Sequence, residues 1–292
     1  MKILVLGASG FIGQAICAAS EALNVEIIRC QRQRSHDEHF EVRTLADIRD
    51  TRGLSRVMEG CETVIHLVAH TRNHGANLNQ SIETFQGINV LGTQSVIKAA
   101  KETKIKRIVF MSSIKVNGEE TKNGAFTEKS PPEPEDIYGQ TKFNAESILR
   151  HQCDSSGIEW VILRPPLVYG PGVRGNFRAL IKLSNSGLPL PLSRKSGNKR
   201  SMIASRNLAS ATLLASTHPK AARKVFLVRD GLDISTGELV ARIRSELGKP
   251  ARLFPIPPNL MRGCLAFPGA SSLARRIYGS LTIDDSYIRE RL

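Results

Sequence analysis

The sequence predicts an α/β fold built on a doubly wound parallel sheet. Three observations carry that expectation. Short apolar runs alternate with stretches of helical periodicity up to Arg164. A glycine-rich turn, Gly7-Ala8-Ser9-Gly10-Phe11-Ile12-Gly13, joins the first apolar run to the first helical stretch. The rhythm then breaks at Pro165-Pro166 and Gly170-Pro171-Gly172, and shorter elements follow.

In order, residues 2–6 read as a buried parallel strand and 14–23 as a helix. Residues 25–30 and 40–45 read as the second and third strands, the latter ending at Asp47-Ile48. A short helix over 54–58 precedes a fourth strand over 63–68. Residues 82–102 form one long helical stretch, 107–111 a fifth strand, 138–152 a helix and 159–163 a sixth strand. Beyond Arg164 the pattern gives helices near 177–185 and 207–217, a Pro-rich turn over 187–191 and a strand over 225–228. Ser235 with Glu238 makes a capping box for a helix over 237–247. The expected organisation is a dinucleotide-binding domain over 1–165, with 205–230 contributing to it. Residues 166–204 and 231–292 then form a smaller, mixed C-terminal substrate lobe.

The chain has 292 residues and is 41% hydrophobic, ample for a sizeable core. Its apolar runs are far short of a membrane span, and the N-terminal run is too short for a secretory signal. The five cysteines, Cys17, Cys30, Cys61, Cys153 and Cys264, show no metal-like spacing. They fit a reducing, cytoplasmic setting. The formal charge of +14 is spread along the chain, with one cluster from Arg194 to Arg200. Aromatics total 5% and form no RNA-binding motif, so nucleic acid is not an expected partner. A solvated basic surface is the first reading of this charge, and recognition of a diphosphate by a few of the cations is the second.

The glycines have separate tasks. Gly7 permits the tight turn, Gly10 the approach of a pyrophosphate, and Gly13 close helix packing. The helix N-terminus then faces the phosphates. An NAD site usually has an acid at the end of the second strand. Here the run is Arg29-Cys30-Gln31-Arg32-Gln33-Arg34. Arginine attracts a 2′-phosphate that a carboxylate would repel, so NADP(H) is expected ahead of NAD(H). Arg32 is the first candidate for that contact and Arg29 the second.

Tyr138 and Lys142 stand four residues apart, on one face of a helix. A cation beside a phenol lowers its pKa, which suits proton transfer to or from a carbonyl or hydroxyl.

Together these motifs resemble the extended short-chain dehydrogenase/reductase family, the nucleotide-sugar epimerases, dehydratases and reductases. The resemblance implies a Rossmann-type sheet and assigns roles. The glycine turn, including Ser9, Phe11 and Ile12, matches the cofactor motif. Asp47-Ile48 matches the adenine position. His66-Leu67-Val68-Ala69 matches the strand end beside the cofactor, and Asn89 a helix asparagine near the catalytic lysine. Pro165 lies in the loop that closes on the nicotinamide. Ser113 is implied to bond the reacting oxygen, Tyr138 to act as acid/base, and Lys142 to hold the nicotinamide ribose. Ser112, Asn176 and Arg200 are implied substrate contacts, Arg200 at the diphosphate. Lys182 reads better as a surface residue. Family members usually pair as homodimers through the 82–102 and 138–152 helices, and they normally continue past a segment like 284–292.

Family dehydratases carry Asp-Glu after the catalytic Ser/Thr, whereas Ser113 is followed by Ile114-Lys115-Val116-Asn117-Gly118. Dehydration is therefore not expected. The epimerase pattern has tyrosine where Asn117 stands. That departure and the missing acid point to a reductase. The run from Ser112 to Glu119, with Arg200-Ser201-Met202-Ile203, is similar to bacterial UDP-4-keto-6-deoxy-N-acetylhexosamine 4-reductases of surface-polysaccharide pathways. A UDP-hexose 4-epimerase with tightly bound NAD is the alternative. A non-catalytic dinucleotide-binding regulator is the alternative of another class.

Overall fold

The computed structural model describes residues 1–33, 37–71, 78–173, 175–193, 197–255 and 277–292. Seven parallel strands form its sheet. They are β1 (Ile3–Leu6), β2 (Ile27–Gln31), β3 (Glu41–Thr44), β4 (Thr63–His66), β5 (Arg107–Met111), β6 (Glu159–Arg164) and β9 (Lys224–Leu227). Their spatial order is β3-β2-β1-β4-β5-β6-β9. The direction in which successive strands are added reverses between β1 and β4, which leaves a crevice at the carboxyl ends of those strands.

Side-chain alternation explains why helices cover both faces. Leu4 and Leu6 pack with Leu54, Val96, Ala145 and Leu149 on one face. Those residues come from α2 (Thr51–Met58), α4 (Gly92–Glu102) and α5 (Ile137–Asp154). Ile3 and Val5 point the other way, to Ile16, Leu208 and Leu213. These belong to α1 (Phe11–Ala22) and α7 (Ser205–Thr217). The 205–230 segment thus supplies a helix and a strand to the sheet layer. Buried Arg107 fastens that helix, donating to the carbonyls of Ala215 and His218 at 3.0 Å each.

Gly7 takes φ +90°, which an L side chain rarely adopts. Its N–H and that of Ala8 both donate to the Cys30 carbonyl at 3.1 Å. A Cβ on Gly13 would lie 2.4 Å from the Gly7 carbonyl oxygen, so α1 can sit on the turn only with glycine there. Helix starts follow their caps. Asp50 accepts from the Gly53 N–H at 3.0 Å, so α2 begins earlier than its apolar spacing indicates. Asp136 caps α5 through Gly139 at 2.7 Å, and Ser235 accepts from Glu238 N–H at 3.0 Å as its capping box predicts.

One long element departs from expectation. In place of a uniform 82–102 helix there are α3 (Leu78–Phe85), a π-helical turn (Gln86–Leu91) and then α4. The underwound turn holds Asn89.

The smaller lobe carries a two-stranded parallel sheet that periodicity does not reveal, β7 (Leu167–Tyr169) with β8 (Met202–Ala204). Three-residue strands are too short to show alternation. Asp230 holds them in place by accepting from Tyr169 Oη, Ala204 N–H and Asn207 Nδ2 at 2.7–3.0 Å. Helices α6 (Asn176–Asn185), α8 (Thr236–Glu246) and α9 (Ser286–Arg291) complete the described elements.

Gly13→Ala is expected to destabilise the fold by about 1–3 kcal/mol through overpacking and to weaken dinucleotide binding. Thermal melts and dinucleotide titration of the variant check this.

Candidate active site

The site lies where the carboxyl ends of β1, β4, β5 and β6 meet the smaller lobe. The turn of Gly7–Gly13 forms its floor. No side chain caps α1, and its first turn holds no acid, so the N–H groups of Phe11, Ile12 and Gly13 stay free for a phosphate. Ser9 and Gly10 are exposed above them. Leu67, Val68 and Ala69 follow β4 directly, and Val68 Cγ2 would lie 3.3 Å from a Cβ on Gly7. This donor set and close backbone approach fit a dinucleotide pyrophosphate.

Asn89 is 1% exposed and works as a brace. Its Oδ1 accepts from His70 N–H at 2.7 Å, and its Nδ2 donates to the His70 carbonyl and to Thr141 Oγ1 at 3.1 and 3.0 Å. It joins the end of β4 to the helix of Lys142. Ile48 is buried beneath Gly92. The Asp47 carboxylate is held by Arg49 at 2.6 Å and sits below the ordinary carboxylate range because of that bond.

At the end of β2 the arrangement corrects one expectation. Arg29 is paired with Asp37 and lies 5.5 Å from the Phe40 ring centroid, so it is not free for a 2′-phosphate. Asp37 lies beyond the arginine run, where reading only the strand end misses it. Arg32 is exposed, while Arg34 lies outside the described residues, as do Arg194 and Lys195.

Ser113, Tyr138 and Lys142 converge. Ser113 lies two residues past β5 and caps a 3-10 turn (Ile114–Val116), accepting from Lys115 N–H at 3.3 Å. Tyr138 shares the cavity wall with Ser113, whose side chain draws the phenol down. Yet burial and the Asp136 charge push the Tyr138 phenol up, against that downward pull. The expected lowering by Lys142 is absent for a physical reason. Lys142 is itself buried, and burial depresses it to about 7 against a raising pull from Glu146. Its Nζ donates to the Met111 carbonyl at 2.7 Å and lies 4.3 Å from the Phe110 ring centroid. The Lys142 ammonium is turned to that carbonyl, and the charge that acts on the phenol is that of Asp136.

Behind the site stands Glu146, with no exposure. It accepts from Ser112 Oγ at 2.5 Å, from Arg164 Nε and Nη2 at 2.9 and 2.5 Å, and from Arg150 Nη2 at 3.0 Å. Ser112 therefore faces this carboxylate, and the expectation that it touches substrate is corrected. Asn117 is likewise structural, accepting from Arg164 Nη1 at 3.0 Å and donating to the Ser130 carbonyl at 3.2 Å. Pro165 is buried and accepts from Ile114 N–H at 3.0 Å, which joins the loop to the turn after Ser113.

A cavity of about 480 Å³ opens in front of Ser113 and Tyr138. Arg200 stands in its wall, as the resemblance implies, donating to the Gly279 carbonyl at 3.2 Å. Lys115 and Glu119 also line it, and sequence reasoning did not single them out. Lys115 Nζ bridges Glu119, at 2.6 Å, and Asp136. Asp136 is held below the ordinary carboxylate range: burial opposes this, but the bonds from Lys115 and Gly139 prevail. Lys182 is exposed and lies outside the lining; Asn176 opens α6, but its side chain is outside the described residues. Among the described residues no cluster of ligand side chains could hold a metal, and no helix is long and apolar enough to cross a membrane.

Residues 3–228 match the NAD dependent epimerase/dehydratase family. The chain belongs to this family. It is an NAD-dependent type of enzyme. A UDP-glucose 4-epimerase of Vibrio cholerae is 34% identical over 100% of this chain and 89% of its own length. An N-acetyl-α-D-glucosaminyl-diphospho-ditrans,octacis-undecaprenol 4-epimerase of Escherichia coli O157:H7 is 28% identical over 90% of this chain and 78% of its own. The Thermus thermophilus UDP-glucose 4-epimerase solved with NAD shares the fold, with TM-score 0.75 and 23% identity over 99% of this chain and 92% of that one.

Two predictions follow from the buried groups. Glu146→Gln leaves the Arg164 guanidinium buried without its counter-charge and is expected to cost about 3–5 kcal/mol, read from urea midpoints. His66 is fully buried, donates its Nε2–H to Thr93 Oγ1 at 3.1 Å and has no partner at Nδ1. Burial first, and the Lys142 charge second, lower it from 6.5 to about 3. The unfolded chain therefore takes up this proton first as the pH falls. The His66 contribution is fully present above pH 6.5 and drains between 6.5 and about 3, by about 1.4 kcal/mol per pH unit. His66→Asn should remove that part of the acid slope in urea titrations across the same window.

Proposed function

We propose that the chain exchanges hydride and proton at C4 of a hexose linked to a diphosphate, with UDP-hexose 4-epimerisation as the leading reading. The convergence of Ser113, Tyr138 and Lys142 between an uncapped glycine-turn helix and a cavity walled by Arg200 carries the chemistry. Two relatives aligned over at least nine-tenths of the chain bear 4-epimerase names, which supports this direction. The handle they share is a sugar diphosphate; the carrier beyond it differs between them.

A bound nicotinamide accepts and returns hydride. The chain's own residues manage the proton and the pose. Ser113 holds the C4 oxygen by a hydrogen bond. Tyr138 removes the proton from a C4 hydroxyl or supplies one to a C4 carbonyl. Lys142 can turn from the Met111 carbonyl to the nicotinamide ribose, and its ammonium then favours the phenolate. Arg200 offers a forked guanidinium to the diphosphate. The glycine turn, with Asp47, Ile48, Leu67, Val68, Ala69 and Pro165 around it, holds the dinucleotide.

The second reading is reduction of a UDP-4-keto-6-deoxy-N-acetylhexosamine with NAD(P)H. The largely apolar cavity wall supports it, because that wall suits a C6 methyl group. Asn117 no longer distinguishes the readings, because it braces Arg164. Exposed Arg32 keeps NADP(H) in play beside NAD(H), and Arg29 no longer does. A homodimer through α3, α4 and α5 is part of the proposal, and Leu91 on that run is 51% exposed.

Incubation with UDP-glucose or UDP-GlcNAc without added cofactor is expected to give the C4 epimer at unchanged mass. A gain of two hydrogens from a UDP-4-keto-6-deoxy sugar, with consumption of NADPH or NADH, would establish the reductase instead. Tyr138→Phe should lower kcat by about 10²–10⁴ in either case while leaving the melting temperature unchanged.

A further inference from the structure

Among the described residues, the far end of the smaller lobe carries several exposed apolar side chains. The end of α6 and the turn after it, residues 182–190, run beside the end of α8 and the segment after it, residues 246–254. Arg244 on α8 is fully buried and stitches them together, donating to the carbonyls of Ser184 at 3.2 Å, Leu188 at 2.6 Å and Ala251. Phe254 N–H donates to the Leu190 carbonyl at 3.1 Å, and Lys249 Nζ to the Asn185 carbonyl. On this frame four large apolar side chains meet water: Leu188 at 61%, Phe254 at 46%, Leu183 at 43% and Leu247 at 42% exposure. Single exposed leucines are ordinary, but a cluster marks a binding surface.

Charge indicates what the surface binds. Lys182 and Arg252 are exposed on the same two segments and Lys249 is half-exposed, with Glu246 the acid among them. The whole chain carries +14. Apolar side chains beside lysine and arginine suit the headgroup boundary of an anionic bilayer. The patch is also continuous with the active site, because Leu183 lines the cavity as well. Leu180, Leu239 and Ile277 extend that apolar wall inward.

We propose that this end of the lobe docks on an anionic lipid surface. Docked there, the cavity receives a sugar diphosphate whose apolar carrier stays in the bilayer. The substrate half of this inference rests on the sugar-diphosphate reading above; the docking half does not.

The test is co-sedimentation of the full chain with vesicles of phosphatidylcholine, and with vesicles of phosphatidylcholine mixed with phosphatidylglycerol. Binding to the anionic vesicles is expected to be at least roughly tenfold stronger at low salt and to fade as salt is added. Leu188→Gln with Phe254→Gln should lower binding by a similar factor and leave turnover of a soluble UDP-sugar unchanged. Lys182→Glu with Arg252→Glu should abolish the preference for anionic vesicles. A wild-type chain that stays in the supernatant with both vesicles overturns the proposal, as do variants that sediment like wild type. Loss of self-association in the apolar variant, without any vesicle binding by wild type, assigns the patch to a second copy and overturns it too. Turnover without sedimentation sinks the docking alone; sedimentation without turnover sinks the sugar reading alone.

Discussion

The Glu146 carboxylate is the constraint on which the site depends. It sits in the interior and gathers donors from three separate stretches of chain. Ser112 closes β5, Arg164 closes β6, and Arg150 lies one turn further along α5. Through Arg164 the network also reaches Asn117, just past the 3-10 turn. The strand end of Ser113, the helix of Tyr138 and Lys142, and the loop of Pro165 are therefore fixed to one another by one buried charge pair. Such a pair contributes little net stability compared with a well-packed apolar substitute, but losing either partner is costly. What it supplies is the relative placement of Ser113, Tyr138 and Lys142, which stand on two different elements.

The electrostatics of those side chains follow from the same burial. The resting site holds a phenol pushed up and an ammonium pushed down, both by the surrounding protein. Neither is poised for proton transfer by its helical neighbour alone. Polar groups of a dinucleotide and a substrate would bring hydrogen-bond partners into this space and reverse part of the desolvation. On the proposed reading, ligand groups would thus bring Tyr138 back toward the range in which it can exchange a proton.

The sheet was legible in the sequence because buried parallel strands leave continuous apolar runs, and the glycine turn marked the first crossover. Ser113, Tyr138 and Lys142 could be singled out through their motifs. Glu146 was not, although it left a trace. Lys142, Ala145, Glu146, Leu149 and Cys153 fall at helical spacing on the buried face of α5. Two charged residues on an otherwise apolar stripe signal an interior network. Lys115 and Glu119 escaped notice because their role depends on the 3-10 turn and on Asp136, which is distant in sequence. Asp37 was missed because its contact with Arg29 requires the chain to fold back. β7 and β8 are too short for any periodic pattern.

The π-helical turn at Gln86–Leu91 has an evolutionary consequence. Such a turn accommodates one residue more than an α-helix would. Each residue in a helix advances the azimuth by about 100°, so an extra one rotates everything after it. Here the turn lets Asn89 reach both the end of β4 and Thr141 while α4 still lays Val96 and Ala100 on the sheet. Removing one residue would straighten the helix and misphase either the asparagine or the whole of α4. Insertions and deletions in homologous chains should therefore avoid this stretch, or arrive with a compensating change in the opposite sense within the same helix.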